Sequence, residues 1–186
     1  PDASIPAGSR IVVSPDGDDA NDPLVAPVRT VRRAIDLAAR HAEYTTIALR
    51  EGRYSAATGE TFPYAVPSGV TIAGPLDREA ALIGDGVVDG LTLADGALVS
   101  IALESFGTAL TARASSTWTD VVIRDSHVGG LLDQDASVTA RHLQISAAPE
   151  KCRVGLDLRD RAALDATGLA IATGGEAVFA HDQSTV

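Results

Sequence analysis

Cysteine is almost missing from this chain. Cys152 is the only one, so an internal disulfide and a thiolate zinc cluster are both excluded. Between Lys151 and Arg153 it reads as incidental, with a nucleophile or an intermolecular bridge as the alternatives. Methionine is absent and aromatics make up only 4% of residues, so the core cannot be built around a few large rings. No apolar run approaches the roughly 18–20 residues that a helix needs to span a bilayer. Basic residues are scarce: 15 Lys and Arg stand against 25 Asp and Glu, a net charge of −10. Such a surface repels phosphate backbones and anionic membranes, which excludes a nucleic-acid partner.

What the chain does have is small and branched aliphatics. Hydrophobic residues are 45% of the 186, carried by Ala, Val, Leu and Ile, which suits one domain with a narrow, repetitive interior. The chain opens at Pro1 with no Met or signal peptide ahead of it, which reads as a processed or trimmed chain. After a loose lead-in, Ile11-Val12-Val13 runs into an acidic, turn-rich loop, Ser14–Pro23. Asp16, Asp18, Asp19 and Asp22 make this loop a weak calcium candidate. Ala20 stands where a third oxygen ligand belongs and no Glu closes the loop, so the EF-hand template fails. Carboxylates bonding their own backbone are the preferred reading.

Thr30 can cap the next segment, in which Val31, Ala34, Ile35 and Ala38 fall at three- and four-residue spacing. This predicts one amphipathic helix, and its apolar side must lie on something. Short strands follow: Thr46–Leu49, Phe62–Val66, Val70–Ile72 and Leu82-Ile83, each cut off by Gly, Pro or Asp.

From residue 90 two interleaved series recur. Leu91, Leu110, Leu131, Leu156 and Val178 each follow a small residue, at gaps of 19, 21, 25 and 22. Ile101, Ile123, Ile145 and Ile171 keep pace at 22, 22 and 26. A period near 22 with two or three short strands is one coil of a parallel β-helix, whose equivalent side chains stack into ladders. The expected fold is therefore all-β: a right-handed parallel β-helix with an N-terminal capping α-helix. Residues 1–45 hold strand, loop and helix, and 46–186 hold the coils. A leucine-rich repeat is excluded by the missing Asn ladder, and a β-sandwich is the alternative. No second lid is legible after Val178, so edge-mediated self-association or a C-terminal continuation is expected there.

Three stretches carry a resemblance: Val13-Ser14-Pro15-Asp16-Gly17-Asp18-Asp19, Pro27-Val28-Arg29-Thr30-Val31-Arg32-Arg33-Ala34, and Leu49-Arg50-Glu51-Gly52-Arg53-Tyr54. Together with Phe62–Gly74 they resemble the bacterial, uncharacterised, pectate-lyase-like right-handed β-helices with the signature V-S-x-x-G-x-D, P-x-x-T-I-x-x-A and V-x-x-G-x-Y. Val31 stands where Ile is usual. The resemblance covers about the first 75 residues. It implies a helix-capped, secreted or envelope-exposed β-helix, and it implies no reaction.

Ladder counting supplies candidate site residues. With Leu91 and its equivalents pointing inward, Asp157, Arg159 and His181 share an outer face two coils deep, and Asp133 points inward against its chemistry. Asp95, Asp135, Asp160 and Asp182 form an acidic turn row. If the protein is an enzyme, a polysaccharide lyase or glycoside hydrolase, Asp157, Arg159 and His181 are its centre. The preferred expectation is a non-catalytic exported or surface-displayed scaffold, binding polysaccharide or an envelope component weakly along one sheet. Trp118, Arg113 and Arg159 are the carbohydrate-binding candidates, with Tyr64 as a second ring. No cofactor is expected beyond a calcium ion in the acidic loop.

Overall fold

Apolar stretches of three to five residues, cut off by corner residues, are too short to pair as hairpins but long enough to wind. A computed structural model describes residues 8–77, 79–148, 150–181 and 184–186. They form a right-handed parallel β-helix closed at its N-terminal end by a helix. Every strand pair is parallel, and each strand's neighbours are one coil behind and one coil ahead. The first sheet has seven strands, from Ser9–Val13 and Tyr44–Leu49 up to Ala163–Thr167. The second has six, from Tyr64–Val66 to Glu176–Ala180, and the third has six, from Gly52–Tyr54 to Ala170–Ala172.

The interior is three stacked ladders. In the first sheet Ile11, Ile47, Ile72, Leu98, Trp118, Ala140 and Ala166 stand over one another. In the second the ladder is Tyr64, Leu91, Leu110, Gly130, Leu156 and Val178. The third is Tyr54, Leu82, Leu103, Ile123, Ile145 and Ile171. Nearly all of these side chains are sealed from solvent until the last coil, where Ala166, Ile171 and Val178 become half-exposed. At about 1.5–3 kcal/mol for each fully buried aliphatic, the column is the main source of stability.

The helix Val31–Arg40 buries Val31, Ala34, Ile35, Leu37 and Ala38. It rests on the strands Ser9–Val13, Tyr44–Leu49 and Tyr64–Val66, so it is the expected lid. Its start is tied down from three directions. Thr30 Oγ1 accepts the Arg33 N–H at 3.1 Å. Asp19 accepts from the Arg29 and Thr30 N–H groups at 2.8 and 2.9 Å and from the Thr30 hydroxyl at 2.7 Å. Glu60, itself buried, accepts the Val31 N–H at 2.8 Å. Gly17 permits this loop to close, because a Cβ there would lie 2.4 Å from the Val28 carbonyl oxygen.

Two registers differ from the sequence reading. Leu110 pairs with Gly130, not Leu131, so Leu132 points inward and Asp133 outward. A one-residue slip in a strand exchanges its two faces, and the inward aspartate was the sign of it. The cause is Gly130: a Cβ there would sit 2.8 Å from Leu156 Cδ2 and 3.4 Å from the Trp118 ring. The coil gives up its expected leucine to make room for the indole. Ile123 likewise pairs with Leu103, while Ile101 precedes its strand at the sheet corner. Those corners turn on single residues with positive φ: Ser100 at 52°, Asp120 at 55° and His142 at 53°. Their side chains are polar and carry no glycine signal, so the turn was not legible.

Asp182 lies outside the described residues. Asp135 leaves the acidic row with the corrected register, and Gln134 takes the place equivalent to Asp160, both with positive φ.

Candidate functional site

The outer face of the second sheet carries one row through Ala65, Thr92, Thr111, Leu131, Asp157 and Phe179. Just beyond the strand ends, Arg113, Asp133, Arg159 and His181 stand over one another. Their N–H groups donate to the carbonyls of Leu93, Ala112, Leu132 and Leu158, one coil back. The period-two alternation of the strand and the 22-residue coil thus bring Asp157, Arg159 and His181 together, as the ladder count expected.

Asp157 is the centre. It faces outward, yet its side chain is only 8% exposed because its neighbours cover it. Arg159 Nη2 and Nε donate to Asp157 Oδ2 at 2.7 and 3.1 Å. His181 Nε2 stands 3.3 Å from Oδ1, within ion-pair distance but outside hydrogen-bond geometry. Oδ1 is therefore a buried acceptor with no hydrogen-bond donor among the described residues. The His181 ring meets the Phe179 ring edge-on, centroids 4.1 Å apart, and Phe179 is 39% exposed. The hydrogen bond from Arg159 to Asp157 raises the guanidinium pKa further above its ordinary value, and the charges of Asp157, Asp133 and Asp160 add to it.

Other candidates fall elsewhere. Trp118 is not a stacking platform: its strand points it inward and its side chain is wholly buried. Tyr64 is also buried, with its hydroxyl donating to Glu60. Arg113 is exposed two rungs below Arg159 in the same row. The acidic loop does not gather its carboxylates. Asp18 accepts the Ala20 N–H and Asp22 the Leu24 N–H, both at 3.0 Å, while Asp19 is spent on the helix cap. Among the described residues no group of three or more His, Cys, Asp or Glu is placed to hold a metal ion. Of the calcium candidates Asp16, Asp18, Asp19 and Asp22, the last three each accept backbone N–H groups of the loop or the helix start. Cys152 is buried, its thiol donates to the Val154 carbonyl at 3.3 Å, and burial raises its pKa. That environment suppresses the thiolate needed for nucleophilic chemistry.

Sequence reasoning missed Phe179 as a site residue and missed Glu60 altogether. An aromatic two residues before His181 and one coil beyond Asp157 is the usable signal for Phe179. Glu60 meets its partner Val31 across 29 residues, and no local pattern marks that contact.

These features define a class: a helix-capped, right-handed parallel β-helix with one polar and aromatic patch on an outer sheet, consistent with the pectate-lyase-like solenoids. The chain belongs to the family described as "Protein of unknown function (DUF1565)", whose model matches residues 16–133. The match covers the lid and the first coils and stops short of Asp157. No curated protein and no solved structure matches the chain. The signature residues Gly17, Asp19, Thr30 and Tyr54 all serve the lid or its first coil, Tyr54 through contacts of 3.1 and 2.9 Å to the Val13 and Arg50 carbonyls. Among the described residues no helix is long and apolar enough to cross a membrane.

Proposed function

We propose that this protein is a non-catalytic β-helix scaffold, exported or displayed on the cell surface, that binds polysaccharide weakly along its second sheet. One observation carries the reading: the part-exposed Phe179 ring stands one rung above Asp157, on the outer face that also carries the Arg159 guanidinium held by Asp157. The ring suits the apolar face of a pyranose. Arg159, fixed by Asp157, offers its remaining N–H groups to neighbouring oxygens.

The same geometry opposes the lyase reading. An arginine acting as base must lose its proton, and Asp157 stabilises the charged guanidinium instead. It also opposes a two-carboxylate hydrolase, because the central acid is already engaged by a guanidinium. Localisation rests on the family resemblance alone.

Affinity electrophoresis through gels containing neutral glucans, xylans, polygalacturonate or alginate tests the reading. Retardation by at least one polysaccharide is expected, weakened about tenfold, or ~1.4 kcal/mol, by Phe179→Ala or Arg159→Ala. Unchanged mobility in every gel removes the binding claim. Unsaturated uronide ends that disappear in Arg159→Ala would make the protein a lyase.

A further inference from the structure

We propose that a second site, distinct from the Asp157 patch, binds a small amphiphilic organic cation in the cavity lined by Glu60, Phe62 and Asp85. The cavity holds about 280 Å³, just below the range of about 300–1,000 Å³ for drug-sized ligand pockets, which suits a small occupant. It opens between the short turn Ala56–Thr58, the loop Glu60–Phe62 that leads into the second sheet, and the loop after Ala80–Ile83. Ala57, Phe62, Ile83 and Val88 make its walls apolar. Phe62 is held in place by Tyr64 and Phe106, whose ring centroids lie 4.6 and 4.9 Å away.

Charge selects the occupant. Two carboxylates line the cavity, Glu60 and Asp85, and among the described residues no lysine or arginine does. Glu60 is buried and its two oxygens take three donors: the Val31 and Arg32 N–H groups at 2.8 and 3.4 Å and the Tyr64 hydroxyl. Two carboxylate oxygens offer about four acceptor sites, so one is left. Asp85 is exposed and accepts the Val87 and Val88 N–H groups, both at 2.9 Å and both at Oδ1. Those donors hold it below the usual carboxylate range, so it stays ionised. The nearby Arg32 guanidinium is engaged by the Thr61 and Pro63 carbonyls, at 2.6 and 2.7 Å. An anion would meet two carboxylates at the cavity wall, while the Arg32 guanidinium directs its donors to the Thr61 and Pro63 carbonyls. An ammonium on an apolar body meets complementary charge and an aromatic wall, and the net charge of −10 favours its approach.

Three probes of one shape separate charge from shape: cyclohexylamine, cyclohexanol and cyclohexanecarboxylate, titrated at neutral pH into protein observed by two-dimensional amide NMR. Cyclohexylamine is expected to shift the Ala57, Phe62 and Val88 amides saturably, with cyclohexanol at least tenfold weaker and the carboxylate inert. Val88→Trp, which puts an indole into the cavity from its Val88 wall, is expected to abolish the shifts. Asp85→Asn keeps an acceptor for the Val87 and Val88 N–H groups and is expected to weaken the amine about tenfold. Absence of saturable shifts with the amine, their survival in Val88→Trp, or equal binding of alcohol and amine would each overturn the proposal.

Discussion

Trp118→Ala is expected to remove about 3–5 kcal/mol from the unfolding free energy, the largest loss from any single truncation in the interior. The indole is fully buried between Leu98 and Ala140 in the first-sheet ladder, and Gly130 yields space to it from the second. Relaxation cannot fill the void, because a solenoid interior is fixed by coils on both sides. Urea unfolding followed by circular dichroism reads the change as a shifted midpoint. Trp118→Phe is expected to cost much less, since the indole Nε1 is buried with no partner among the described residues and the ring removes that donor. Gly130→Leu alone overpacks the same space, at about 1–3 kcal/mol. Combined with Trp118→Leu it is expected to cost less than the two changes summed, because each relieves the other. Strict additivity would mean that the two positions do not share the space.

That trade between Trp118 and Gly130 also shows what the sequence can and cannot reveal about a solenoid. A ladder is legible when equivalent positions carry equivalent residues, as Leu156 and Val178 do, so Asp157, Arg159 and His181 could be grouped from spacing. Where one coil exchanges a leucine for a glycine to suit a large neighbour, counting selects the adjacent Leu131 and reverses a strand. Trp118 was misread for a related reason. Composition makes a lone tryptophan attractive as a ring for sugars, but alternation within Ser116–Thr119 places it inward, opposite Leu98. The helix was easy, since an amphipathic period is local. Its anchoring was half legible. Asp19 lies in the recognisable signature, whereas Glu60 reaches the helix start through space and leaves no trace in nearby residues.

Glu60 is where the lid's stability becomes dependent on pH. Glu60→Ala strands the Val31 N–H and the Tyr64 hydroxyl in the interior, at about 1–3 kcal/mol for each buried donor left unpaired, so about 2–6 kcal/mol in all. Burial raises the Glu60 pKa above 4.5, outweighing the hydroxyl and N–H donors that lower it, and Asp19 adds repulsion in the same direction. The folded state therefore holds the proton more tightly than the unfolded chain. The resulting stabilisation is fully present below the unfolded pKa and is lost as pH rises through the raised folded value. Glu60→Gln retains a carbonyl acceptor for Val31 and does not titrate. Denaturant midpoints measured across the acid range should show wild type losing ground to Glu60→Gln as pH climbs from about 4 toward neutrality. A constant difference would place the proton elsewhere. A difference that moved in wild type's favour would mean that the N–H and O–H donors, not burial, govern this carboxylate, and that the lid is held by an anion over the whole range.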